Sequence, residues 1–163
     1  MPERSTREQE LLEKSAKYLP GGYTGNLPIR KDLNFLAARG VGSHIFDVSG
    51  NEYIDWLMGS GPMLLGHSHP AVVEEVIKAV EQGSTFFATN EKAVLLAETL
   101  VDAVACAEQV RFTTSGTDAT FQAMRAARSF TKKEKVLKFE GGYHGSSDYA
   151  VMSVTPSGAE EFP

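Results

Sequence analysis

Cysteine is almost missing from this 163-residue chain, and Cys106 stands alone. That excludes an internal disulfide and any cysteine-rich zinc site, and it leads us to expect a reducing, cytoplasmic setting. A basic excess is missing too. Lys and Arg number 16 against 21 Asp and Glu, a net charge of −5. Such a balance argues against nucleic acid or an anionic membrane as the main partner. The one cluster of cations, Lys132, Lys133 and Lys135, is interrupted by Glu134 and reads as a solvated turn. No apolar run approaches the roughly 20 residues that span a bilayer. The polar start, Met-Pro-Glu-Arg-Ser, has no signal-peptide apolar core behind it. Repeats and low-complexity tracts are also lacking. What is present is an ordinary globular composition, 42% hydrophobic and 23% charged, at a length that predicts one domain with a real core.

Residues 5–19 read as a surface helix, with Ser5 and Glu8 as a capping box and Leu11, Leu12 and Leu19 as a thin apolar stripe. "LPGGYTGNLPIR" is too rich in glycine and proline for a regular element. "SHIFDVSGNEYIDW", 43–56, predicts a hairpin turning at Ser49-Gly50-Asn51. A second glycine-rich loop, "MGSGPMLLGHSHP", leads to Pro70 as the first residue of a helix. That helix carries Val72, Val73, Val76, Ile77 and Val80 at helical spacing and ends at Gly83. Further helices are expected at about 91–104 and 117–130, and strands at 110–113, 135–139 and 149–154. Helices alternating with short apolar strands imply βαβ units and a largely parallel sheet, an α/β fold.

Ser115-Gly116-Thr117-Asp118, where a strand is expected to hand over to a helix, supports two readings. Ser115 and Asp118 have the spacing of a capping box. Free amides at a helix start, a glycine allowing close approach and two hydroxyls also make an anion cradle. Spacing alone leaves both open. A P-loop and a dinucleotide fingerprint are both absent. "FEGGYHG" follows the next expected strand, and in an open parallel sheet both loops emerge at the same edge. Tyr143 could offer its ring to a planar ligand or close a small core. His144 could act as acid or base or be a hydrogen-bonded loop residue. His67 and His69 have metal-ligand spacing but no local Cys, Asp or Glu partner, which favours helix-start and loop roles over a metal. Phosphate grip on one loop and an aromatic plate on the next describe a phosphorylated aromatic cofactor.

"TTSGTDATFQAMRAARSFTKKEKVLKFEGGYHG" closely resembles the Ser-Gly-Thr-Glu-Ala … Tyr-His-Gly region of class III pyridoxal-phosphate-dependent aminotransferases. "IFDVSGNEYIDW" is similar to that family's N-terminal hairpin, and "GPMLLGHSHPAVVEEV" to its Gly-His-x-His-Pro helix start. The "LPGG" and "KFEGGYHG" wording looks nearest the glutamate-1-semialdehyde aminomutase-like subgroup. The resemblance runs from about residue 10 to the end. It implies a fold-type-I transferase: N-terminal helix, Gly/Pro loop and hairpin over 1–60, then the first half of the large, mostly parallel-sheet domain over 61–163. It implies pyridoxal 5'-phosphate as cofactor, an amino donor and a carbonyl acceptor as substrates, and a homodimer in which Gly83–Asn90 lies near the partner's site. Ser115, Gly116 and Thr117 would hold the cofactor phosphate, Tyr143 would stack on the pyridine ring, and His144 would accompany it. Arg30 is the candidate for a substrate carboxylate. Ser60 stands where the aminomutase proper has tryptophan, which implies a different substrate or outcome.

Asp118 replaces the family's glutamate, keeping the charge on a shorter arm. The family's cofactor-bearing lysine and its pyridine-nitrogen aspartate both lie beyond residue 163. Lys138 matches a noncatalytic family position, so no catalytic residue is assigned in this chain, and by itself it is expected to be inactive. A rival expectation is a truncated or split noncatalytic chain that only associates with a partner. A third, a sugar-phosphate-binding α/β module, would make three ordered motifs a coincidence.

Overall fold

The computed structural model describes residues 3–25 and 34–154. They belong to two compact units, Met1–Phe86 and Phe87–Pro163.

The N-terminal unit starts with α1, Thr6–Tyr18, whose cap is only half the expected box. Ser5 Oγ accepts the Glu8 amide at 3.2 Å, but the Ser5 amide donates to Ser49 Oγ at 2.8 Å rather than to Glu8. Glu8 is fully buried. Its carboxylate accepts the Leu36 amide at 3.0 Å and the Ser49 hydroxyl, so a charge on a helix face is spent tying that helix to the hairpin turn. A 3-10 turn, Pro20–Gly22, follows α1.

Three strands form an antiparallel meander: β1 Ala37–Val41, β2 His44–Asp47 and β3 Glu52–Ile54. The β2–β3 hairpin is as expected, pairing His44 with Ile54 and Phe46 with Glu52. The β1 strand was not expected, because "AARG" lacks β-branched residues. It pairs with β2 through a register irregularity between Ala37 and Arg39. Asp47 closes the hairpin turn. Its carboxylate accepts the Asn51 amide at 2.8 Å, Asn51 Nδ2 at 2.9 Å and the Tyr53 hydroxyl at 2.8 Å. Burial pushes the Asp47 carboxyl up, but these bonds outweigh it and hold the group below its ordinary value. Burial, then the bond to Asp47, raises the Tyr53 hydroxyl to about 12. The helix α2, Pro70–Glu81, begins at the expected proline.

The second unit holds α3 Glu91–Ala103, α4 Gly116–Thr131 and the short α5 Asp148–Val151. Asn90 Oδ1 caps α3 by accepting the Ala93 amide at 3.0 Å. The expected strands at 110–113 and 135–139 are absent, and no strand occurs among this unit's described residues. A strand exists only through its ladder, and neither segment has a paired neighbour. Leu137 and Phe139 are correspondingly exposed. Residues 148–151 are helical, not a strand. The amides of Ala150 and Val151 donate to Ser147 O at 2.8 and 2.9 Å, and Asp148 suits a first turn. A short apolar run does not by itself distinguish the two states.

The expected core is also largely missing among the described residues, where Ala150 is the one buried apolar side chain. The stripe Val72, Val73, Val76, Ile77 and Val80 forms on α2 but stands exposed.

Candidate functional site

Helix α4 starts where the sequence expects a site. Ser115 is its N-cap: Oγ accepts the Asp118 amide at 3.1 Å, while the hydroxyl proton goes to Asp118 Oδ2 at 2.9 Å. Thr114 Oγ1 donates to the same oxygen at 2.6 Å. These bonds, that from Thr114 first, hold the Asp118 carboxyl below its ordinary value. The Ser115 hydroxyl is therefore engaged in the cap, both as acceptor and as donor.

The amides of Gly116 and Thr117 have no hydrogen-bond partner among the described residues. They are the first two donors of the helix, at its positive end. Among the described residues, its chain neighbours and its own helix backbone aside, nothing lies within 4 Å of where a β-carbon on Gly116 would stand. Packing thus does not require glycine there, and its missing side chain leaves those amides open to approach. Thr117 Oγ1 accepts the Ser146 amide at 3.2 Å, and its own proton has no acceptor among the described residues. Two free amides, one free hydroxyl and open space over the turn fit a phosphate group.

The Tyr143 loop is bonded onto this same helix start. Thr120 Oγ1 donates to His144 O at 2.7 Å, and Ser146 N reaches Thr117 as above. Gly145 makes the approach possible. Its φ is +99°, and a β-carbon there would lie 2.7 Å from Thr117 Oγ1 and 2.8 Å from Thr117 Cα. The structure therefore docks the loop that carries Tyr143 and His144 onto the helix start of Ser115, Gly116 and Thr117. Tyr143 is about half exposed, so a ring face is available. The His144 ring folds back over Gly142, where a β-carbon would be 2.9 Å from Nε2. Sequence reasoning missed Thr120 and Gly145. The one signal for Thr120 is its place three residues after Thr117, one helical turn along.

Lys138 is committed elsewhere, donating from Nζ to Ala150 O at 2.9 Å and to Met152 O, which caps the end of α5. Arg30 lies outside the described residues. Ser60 is in the N-terminal unit, exposed, at a φ of 67°. No group of three metal ligands occurs among the described residues. His67 does have a carboxylate partner, Asp55, twelve residues back, with Nε2 2.7 Å from Oδ2. His69 is the N-cap of α2, and with Leu64, Leu65, Val72 and Val76 it lines an apolar groove of about 510 Å³. No described helix is long and apolar enough to cross a membrane.

A family model described as aminotransferase class-III matches residues 28–161. The glutamate-1-semialdehyde 2,1-aminomutase of Methanosphaera stadtmanae is 43% identical over 157 residues, which is 96% of this chain and 37% of the relative. Among solved structures, an omega-transaminase from Sphaerobacter thermophilus superposes with a TM-score of 0.87 at 37% identity, over 93% of this chain and 35% of that one. A transaminase with PLP bound gives 0.87 at 32% identity, over 93% and 36%. The chain thus spans little more than a third of the length of the relatives it matches.

Proposed function

The chain belongs to the class-III aminotransferases and has their fold-type-I α/β architecture, and on that premise we propose that the whole protein moves an amino group between an amino acid or amine and a carbonyl compound with pyridoxal phosphate. The curated relative named above is an aminomutase and the solved ones are transaminases, so both internal and intermolecular amino transfer fall within this reading. When bound, the cofactor supplies the electron sink for that chemistry.

The chain's own part in this reading is to bind and orient. The Gly116 and Thr117 amides, at the positive end of α4, take the phosphate, and the Thr117 hydroxyl adds a donor. Ser115 shapes that end by holding the cap, and Asp118 keeps Ser115 in place. The Tyr143 ring face covers the pyridine, with His144 beside it in the same loop. Arg30 and Ser60 belong to the substrate side, which admits a small amino donor and a carbonyl acceptor. The protein works as a homodimer, with Gly83–Asn90 directed to the partner's site. The observation that carries this reading is the helix start with two unused amides under an unfilled Gly116, onto which the Tyr143 loop is bonded.

The test is Thr117→Val against Ser115→Ala in the full-length protein. Thr117→Val removes a free donor and should weaken cofactor binding by about 1–3 kcal/mol. Ser115→Ala removes a cap and should lower cofactor-free stability by about 1 kcal/mol, with a smaller effect on affinity. Equal losses in cofactor-free and cofactor-bound protein for both variants would leave only a helix cap.

A second reading is a noncatalytic chain that associates with a partner. It draws on the exposure of Trp56, Leu64, Phe87, Leu137 and Phe139. Amino transfer by the full-length protein in its purified form would exclude it.

A further inference from the structure

Between β3 and α2 the chain makes a loop whose two ends are held by one carboxylate. Asp55 Oδ1 accepts the amides of Leu57 and Met58, both at 2.9 Å. Asp55 Oδ2 takes the other end, 2.7 Å from His67 Nε2. A carboxylate only accepts, so Nε2 carries a proton there in the neutral ring as in the charged one. His67 is anchored in turn. Its amide donates to Gly42 O at 2.8 Å, and its carbonyl accepts from Gly42 N at 2.9 Å. Its ring lies against Gly40, where a β-carbon would be 2.6 Å from the ring Cγ. The Asp55 amide donates to Ser43 O at 2.8 Å, which ties the same point to the β1–β2 turn. The pair is mostly buried, with the side chains of His67 and Asp55 22% and 11% exposed.

Between these fixed ends the backbone is strained. Four consecutive residues have positive φ: Met58 at 47°, Gly59 at 66°, Ser60 at 67° and Gly61 at 108°. Met58 and Ser60 adopt this region although they carry side chains, a state that persists only where the surroundings over-determine it. Among the described residues, the hydrogen bonds that span the loop are short internal ones, such as Ser60 N to Leu57 O at 2.9 Å and Met63 N to Met58 O at 3.2 Å. The external hydrogen bonds come from Asp55 and His67 at the two ends, and Gly66 also lies close against Gly42.

We propose that Asp55 and His67 are positioning residues, a clasp that holds loop 57–66 in its strained form and so fixes Ser60 where the substrate meets it. The substrate role rests on the reading of Ser60 given under Proposed function; the clasp itself rests on the hydrogen bonds.

The experiment uses the full-length protein with pyridoxal phosphate added, and compares wild type with His67→Ala, His67→Gln and Asp55→Asn. Hydrogen–deuterium exchange of the 57–66 segment is read first. His67→Ala should raise it about tenfold, and His67→Gln, whose amide reaches the Nε2 position, should restore most of the protection. In steady-state kinetics KM for the amino donor should rise about tenfold in His67→Ala, more than kcat falls, with cofactor affinity within about twofold of wild type. Asp55→Asn, which keeps the shape and loses the paired acceptors, should follow His67→Ala if that variant folds poorly. Exchange and KM both unchanged would overturn the clasp. Raised exchange with unchanged KM would overturn the substrate role. A wild-type protein that transfers no amino group would remove the functional reading instead, and the exchange comparison would still decide the clasp.

Discussion

Replacing Gly116 with alanine separates what the fold requires from what a ligand requires. Its chain neighbours and own helix backbone aside, an added β-carbon there meets no described atom within 4 Å, and Gly116 is not among the residues with positive φ. Neither clash nor strain opposes the change. Inside a helix it would favour folding by about 0.5–1 kcal/mol, and at the first helical position part of that gain applies. The cofactor-free protein should therefore melt at the same temperature or slightly higher. Binding of the phosphate should move the other way. A methyl group over the first turn holds an anion off the unpaired amides of Gly116 and Thr117. Losing one charge-assisted hydrogen bond costs about 1.5–3 kcal/mol, or about tenfold to a hundredfold in Kd. The assay is calorimetry on cofactor-free full-length protein, paired with absorbance titration of pyridoxal phosphate. Opposite signs are expected. A Kd within about twofold of wild type would refute the anion site over Gly116. A drop of several degrees in the cofactor-free Tm would show that the fold itself needs the glycine.

Gly145→Ala should instead damage both forms. It strains a φ of +99° and drives a β-carbon to 2.8 Å from Thr117 Cα, so calorimetry should give a loss of about 2–4 kcal/mol without cofactor; an unchanged Tm would show that the loop is not docked. Tyr143→Phe should preserve cofactor affinity while Tyr143→Ala loses about 0.5–1.5 kcal/mol, and equal losses in a titration would point to the hydroxyl instead of the ring face. The buried Asp47 has a depressed carboxyl, so its contribution is fully present above the unfolded carboxylate value near 4 and is lost as pH falls through the lower folded value. A pH series of Tm should show the Asp47→Asn difference shrinking only below about pH 4; a difference that fades between neutrality and that point would refute the sign.

The legible features were those whose partners are close in sequence. Ser5 capping at Glu8 and Ser115 at Asp118 are three-residue events, and Pro70 at a helix start needs no partner at all. The hairpin turn closes within five residues, Asp47 to Asn51. The failed strands are the opposite case. "RFTT" and "KVLKF" have the right composition, but a ladder depends on what lies beside them, and no described segment does. Composition also misled in the other direction. The β1 residues, Ala37–Val41, look unlike a strand and form one because β2 lies alongside. Glu8 reads as the second half of a capping box and is instead the largest fully buried side chain among the described residues, because its oxygens accept from Leu36 and Ser49, far along the chain.

At Ser115 the sequence left a helix cap and an anion site as rivals, and counting donors shows that the cap does not exclude the site. A helix start has four amides without intrahelical partners. The Ser115 hydroxyl satisfies the third helical one, on Asp118, and leaves those on Gly116 and Thr117 for something outside the chain. Asp118, an acid where a phosphate is proposed, is the reason the Ser115 oxygen stays turned toward its own backbone. Its carboxylate takes the protons of Thr114 and Ser115 and is spent on them. The cap therefore does not fill the cradle but shapes it, and the hydroxyl left over for a ligand is the one on Thr117. That hydroxyl also receives the Ser146 amide, so the residue proposed to meet the phosphate is one that holds the Tyr143 loop. A ligand gripping Thr117 from one side would find the aromatic loop already bound to it from the other.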